Sequence, residues 1–131
     1  MYSSGFKPSV LTITRRYKPD DEKFISTWQW LDSVYGQDVI PPLTVLHDFG
    51  RFFIYDGNIR AAHALAFGYD VSAGVLLNQE DMDSYLACNP NLWSGITGFY
   101  EILNCLRIYA MYEGKEERIP DGMKEMIQRL K

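Results

Sequence analysis

The sequence predicts a small α/β domain: a mixed sheet flanked by helices, with a helical C-terminal extension. Three observations carry that reading. Val71, Ala73, Val75 and Leu77 fall on alternate positions, the two-residue period of a strand. Arg51 to Gly68, RFFIYDGNIRAAHALAFG, has the order of a strand, a tight turn, a helix and a helix stop. Beyond residue 91, Leu92, Ile96, Phe99, Leu103, Leu106 and Ala110 recur at spacings of 4, 3, 4, 3 and 4, one face of a long helix.

Taken in chain order, MYSSGFKP has no apolar period and is expected to be a loose tail, with no signal-peptide core. Val10 to Thr14 alternates and predicts a strand. Arg15, Arg16, Tyr17 and Lys18 follow, three cations in four residues: either a solvated strand end or a phosphate-binding patch. Pro19 opens a new element and Asp20 and Asp21 suit a helix start. Phe24, Trp28, Leu31 and Tyr35 then share one helix face, which Gly36 ends.

Pro41-Pro42 sets an extended lead into a short strand, Leu43 to Leu46. His47-Asp48-Phe49-Gly50 predicts a turn, and Arg51 to Tyr55 returns antiparallel as a hairpin. Asp56-Gly57 is a second turn. Asn58 is expected to cap a helix from Ile59 to Phe67, with Gly68 as its stop. After the strand ending near Leu77, Asn78 is expected to cap a short helix from Glu80 to Ala87, and Asn89-Pro90-Asn91 breaks it. The long helix is expected to reach Tyr112, its first turns weakened by Gly95 and Gly98. A charged turn from Gly114 to Glu117 leads to a last helix opened by Pro120-Asp121, with Met123, Met126, Ile127 and Leu130 on one face. No repeat and no linker divides residues 1–131, so one domain is expected.

The stretch IPPLTVLHDFGRFFIYDGNIRAAHALAFGYDVSAGVLL, residues 40–77, resembles the core of the ParB/sulfiredoxin-like superfamily. Members share a proline-led strand, a turn, a second strand, a D-G-x-H-R-like turn, an Ala-rich helix, a Gly and a closing strand. Here the signature reads Asp56-Gly57-Asn58-Ile59-Arg60, with Ile59 where most members carry His. The resemblance implies a nucleotide or other phosphate-bearing small molecule as ligand, with Mg²⁺ accompanying a nucleotide, and the family equivalent of Arg60 contacting phosphates or substrate. Sulfiredoxins place a cysteine where this sequence has Asn58, so their phosphoryl-sulfinyl chemistry is not expected. No DNA-reading helix-turn-helix pair follows the core, unlike in partition proteins.

Elementary chemistry points to the same place. A glycine turn feeding a helix leaves backbone N–H groups that favour an anion, and the helix dipole adds to this. Arg60 in the first turn either grips phosphate oxygens or pairs with Asp56. Asn58 either caps the helix or donates to a phosphate, and Asp56 is either a turn residue or the orienter of Arg60. His63, one turn on, either assists the site or is a structural histidine. Asp56, Gly57, Asn58, Arg60 and His63 are therefore the candidate site, with Arg15, Arg16 and Lys18 as auxiliary cations if the first strand lies beside the motif strand.

Other chemistries find less. Cys88 and Cys105 lack metal spacing and fit reduced, buried thiols in a cytoplasmic protein. Glu80, Asp81 and Asp83 fit a solvated helix start better than a metal set. No catalytic triad, Walker loop or zinc set is present, so no reaction is identified. With 23% charged and 47% hydrophobic residues the chain is not expected to be disordered. A net charge of −4 and a pI near 5.1 disfavour a general nucleic-acid binder, and no apolar run is long enough for a membrane span. The expected function is phosphate or nucleotide binding at Asn58–Arg60. One alternative is a degenerate member docking a protein, or a second copy of itself, through Leu92–Ala110. Another is a ParB-like nuclease acting on DNA.

Overall fold

The structure is a computed structural model that describes residues 2–37, 39–89, 98–112 and 115–128; for Glu116 and residues 126–128 it describes the backbone alone. Among the described residues the chain forms a five-stranded mixed sheet and five α-helices. The strands are β1 (Tyr2–Phe6), β2 (Leu11–Thr12), β3 (Leu43–Asp48), β4 (Arg51–Asp56) and β5 (Val71–Leu76). The helices are α1 (Glu22–Val34), α2 (Asn58–Phe67), α3 (Gln79–Cys88), α4 (Phe99–Met111) and α5 (Asp121–Gln128).

The sheet order is β1-β5-β3-β4-β2. The β3–β4 hairpin supplies two central strands, and α2 carries the chain back so that β5 pairs parallel with β3. β1 closes one edge antiparallel to β5, and β2 lies parallel to β4 at the other. Alternation then sorts the side chains. Leu43, Val45, Ile54, Val71, Ala73 and Val75 pack towards Ala61 and Ala64 of α2. Leu46, Phe53 and Leu76 pack on the opposite side with Met82, Tyr85 and Leu86 of α3 and Phe99, Ile102, Leu103 and Leu106 of α4. Helices therefore cover both faces of the sheet.

The core expected from residues 40–77 is present as strand, turn, strand, helix and strand, with β3 and β4 antiparallel. The turn is tighter than expected: β3 runs on to Asp48, leaving Phe49 and Gly50, at φ 46° and 79°, as its centre. Asp21 caps α1 by accepting from the Phe24 N–H at 3.0 Å, and Asn78 caps α3 through the Asp81 N–H at 2.9 Å.

The N-terminus corrects the expectation of a loose tail. Tyr2–Phe6 is an edge strand held by its ladder to β5 rather than by buried side chains. The expected Val10–Thr14 strand is also shorter. Val10 ends a 3₁₀ turn begun by Pro8, and the ladder holds Leu11 and Thr12 alone. In α1 the expected apolar face is only half used: Leu31 is buried, Phe24 and Trp28 are partly buried, and Tyr35 is exposed.

Leu92, Gly95 and Ile96, in the expected start of the long helix, lie outside the described residues, as do Gly114 and Leu130; the side chains of Met126 and Ile127 are likewise not described. The described part of the stripe is spent inside the chain. Phe99, Leu103 and Leu106 are buried against the sheet and α3. The proposed docking face through Leu92–Ala110 thus loses its basis over residues 99–110. No helix of the described residues is long and apolar enough to cross a membrane.

Candidate functional site

The strand-to-helix turn is built around Gly57. Its φ of 111° lies in the left-handed region, and a Cβ there would fall 2.5 Å from Leu43 Cγ and 3.1 Å from an Arg60 guanidinium nitrogen. Only glycine fits both constraints. Gly57 is consequently the N-cap of α2, and its carbonyl accepts the Ala61 N–H at 2.9 Å. The expected Asn58 cap is wrong by one residue. Asn58 is the first helical residue, and α2 starts without any side-chain cap. The N–H groups of Asn58, Ile59 and Arg60 precede the first intrahelical donor.

The Asn58 side chain is used elsewhere. Its Oδ1 accepts from the backbone N–H of Thr14 at 2.9 Å and of Arg15 at 3.3 Å, while Nδ2 donates to Thr14 Oγ1 at 3.2 Å. The Thr14 hydroxyl donates in turn to the Ile54 carbonyl. This network pins the segment after β2 to the motif turn. β2, what remains of the strand expected at Val10–Thr14, does lie beside the motif strand β4.

Arg60 is also committed. Nη1 donates to the carbonyls of Pro41 at 2.9 Å and Pro42 at 3.1 Å, and Nη2 donates to Asp56 Oδ2 at 3.1 Å. Its side chain is 15% exposed. Of its five N–H donors, these bonds use three. Arg60 thus braces the lead into β3 against the helix start, and Asp56 orients it.

A cleft of about 170 Å³ opens at this helix start, lined by Asp56, Gly57, Asn58, Ile59 and Arg60 together with Tyr17, Lys23 and Thr27. The last three come from α1 and the segment before it, and sequence reasoning missed all of them. Lys23 falls within the first turn of α1, where nothing in the local sequence ties it to the motif turn. Burial holds the Tyr17 phenol above its ordinary range, with Asp21 and Asp56 pushing the same way and Arg15 opposing. It therefore stays a protonated donor at neutral pH. The expected auxiliary cations divide. The Arg15 guanidinium lies over the Tyr17 ring at 4.5 Å, Arg16 and Lys18 are exposed, and none of the three lines the cleft.

Ile59 is 6% exposed. An apolar, buried side chain holds the fourth position of the Asp56–Arg60 turn. His63 does not assist there. His63 is fully buried between α1 and α2, with Nε2 2.7 Å from Asp32 Oδ1 and Nδ1 2.6 Å from the Tyr69 hydroxyl. The rings of Trp28, Tyr35 and Phe67 surround it at 4.8, 5.5 and 4.5 Å. The structure separates it from the cleft and makes it the centre of the helix seam.

Of the two thiols expected to be buried, one is and one is not. Cys105 is buried beside Tyr109 and Ile119, and burial pushes its thiol up, assisted by the charge of Glu101. Cys88 is exposed. Among the described residues no three His, Cys, Asp or Glu side chains gather as a metal set. Compared with known proteins, the chain matches no protein-family model and no curated protein.

Proposed function

We propose that the cleft at the start of α2 binds the phosphate of a small molecule, a nucleotide being the family-type ligand. The observation that supports this reading is an uncapped helix N-terminus meeting the side chains of Lys23, Arg60, Tyr17 and Thr27 in one cleft. Anions are favoured there by unpaired N–H groups, the helix dipole and a flexible ammonium. The resemblance of residues 40–77 to the ParB/sulfiredoxin-like core agrees with it.

The roles differ from those first expected. Backbone N–H groups and Lys23 make the main phosphate contacts, while Arg60 contributes charge and rigidity. The residues fit phosphate better than a protein-held Mg²⁺. Asp56 is the carboxylate lining the cleft, and Arg60 occupies it. A Mg²⁺ ion would enter with the nucleotide, carried by its phosphates and water. With Ile59 in the histidine position, the reading is binding rather than catalysis.

Thermal denaturation with inorganic phosphate, ADP and ATP, each with and without Mg²⁺, tests this. A ligand at 100 times its Kd stabilises by about 2.7 kcal/mol, and Lys23→Ala should remove most of that shift without altering the unliganded midpoint. Identical midpoints for wild type across all ligands would overturn the proposal.

A further inference from the structure

The geometry points to a second site, independent of the phosphate cleft: Asp32, His63 and Tyr69 form a proton relay that activates the Tyr69 phenol towards an uncharged acyl compound. Three observations carry it. His63 is wholly buried, yet both ring nitrogens are in short hydrogen bonds. The bond at Nε2 goes to a carboxylate that is 47% exposed, so one end of the relay meets water. The bond at Nδ1 goes to Tyr69, which lines a surface cleft of about 290 Å³ with Gly36, Ile40, Asp70, Val71 and Ser72. Both ring nitrogens of a buried imidazole need partners; here one partner is a half-exposed carboxylate and the other belongs to a residue of the cleft wall, so the chain of bonds links water to the cleft residue.

The partners fix the tautomer. The Asp32 carboxylate only accepts, so Nε2 carries the hydrogen; Nδ1 then accepts, and the Tyr69 hydroxyl donates. Burial, Asp32 and Tyr35, in that order, hold the Tyr69 phenol above its ordinary range. It does not ionise by itself near neutrality and needs a base at its proton, which is what Nδ1 provides. As Tyr69 Oη bonds to the acyl carbon, its proton passes to Nδ1. The bond from that carbon to the leaving group breaks, and the leaving group departs with the electron pair. The imidazolium is stabilised by Asp32 and releases its Nε2 proton through that carboxylate to water. No further reactant is required. Asp70 on the cleft wall, with no lysine or arginine among the lining residues, disfavours phosphorylated or carboxylate substrates. A cleft of this size holds a small ester.

An aryl sulfonyl fluoride is a suitable probe, because phenol oxygen displaces fluoride at sulfur and the proton goes to His63. Intact mass and peptide mapping should show one dominant adduct, on Tyr69, and Tyr69→Phe should abolish it. Asp32→Asn should slow labelling at least tenfold while the protein stays folded by circular dichroism, and Asp32→Glu should recover most of the rate. The pH profile separates a relay from packing. Asp32, Tyr35 and Tyr69 are the titratable groups in contact with His63 among the described residues. Wild-type labelling should depend little on hydroxide across the neutral range, because the base is built in, whereas Asp32→Asn should rise continuously with hydroxide, as a simple phenol does. Adducts spread over exposed tyrosines, or an Asp32→Asn rate equal to wild type, would overturn the proposal.

Discussion

Arg60 Nη2 lies 3.1 Å from Asp56 Oδ2, one helical turn back across the Gly57 turn, and the same guanidinium holds the carbonyls of Pro41 and Pro42. A residue expected to serve a ligand is thus part of the frame of the unliganded protein. Arg60→Ala should therefore cost stability by itself. Hydrogen bonds to a charged group contribute about 1.5–3 kcal/mol, and two carbonyls lose their donor. We expect a loss of about 2 kcal/mol in urea denaturation, with an unchanged slope. Arg60→Lys should lie between, because an ammonium keeps the charge but not the fork. A midpoint equal to wild type for Arg60→Ala would show that the brace contributes nothing.

The hairpin turn carries a different kind of strain. Phe49 is 95% exposed at φ 46°, followed by Gly50 at φ 79°. Two consecutive positive φ values are what a two-residue type I′ turn requires, and Asn-Gly suits it better than Phe-Gly. The left-handed region costs an ordinary residue about 1–2 kcal/mol. Phe49→Asn should raise stability by about 1 kcal/mol in chemical denaturation. A drop would mean that the aromatic ring contributes more to the fold than its exposure indicates.

How far the sequence was legible follows from which forces act locally. The hairpin, α2 and β5 were legible because turn glycines, caps and alternation are short-range signals. Tyr2–Phe6 was not, since an edge strand with little burial needs only ladder bonds and leaves no apolar pattern. Asn58 was a reasonable cap by type, but Gly57 took the cap position and Asn58 bonded to Thr14, 44 residues away. The lining of the candidate cleft was legible where it lies in one segment, at Asp56 to Arg60. Lys23, Thr27 and Tyr17 join it only because α1 docks along α2, and Trp28, Asp32 and Tyr35 find His63 and Phe67 for the same reason. That docking has no signal in either helix alone.

Leu103 tests the fate of the α4 stripe. It is 1% exposed, within the cluster shared by the sheet and α3. Leu103→Ala should cost about 2–5 kcal/mol, the range for a packed leucine that leaves a cavity. Sedimentation should show the same mass for wild type and variant at concentrations where both are folded. A changed mass with little loss of stability would restore the stripe as a docking face.

Buried and half-buried phenols should lower stability at alkaline pH. Tyr55 and Tyr85 meet edge to face at 5.9 Å in the layer between β4 and α3. Burial is the largest cause holding each above the ordinary phenol value of 10.0. The neighbouring Tyr85 and Asp56 add to it for Tyr55, while Thr44 and Arg60 partly offset it for Tyr85. Tyr17 and Tyr69 shift the same way, and so does the buried Cys105 thiol. Each of these groups is neutral when protonated and ionises later in the native state than in the unfolded chain. Above pH 10 the unfolded state therefore binds fewer protons than the native state, and stability falls as pH rises. Their contribution is fully present below the unfolded values and is lost as pH climbs through the folded ones. The urea midpoint should be flat from about pH 7 to 8, begin to fall as Cys105 enters its range, and fall more steeply beyond about pH 10. Tyr55→Phe keeps the ring and removes one titrating hydroxyl, so it should make the upper slope shallower while changing little at neutral pH. An unchanged upper slope in Tyr55→Phe would show that this phenol ionises alike in both states, and that its burial between β4 and α3 has no electrostatic consequence.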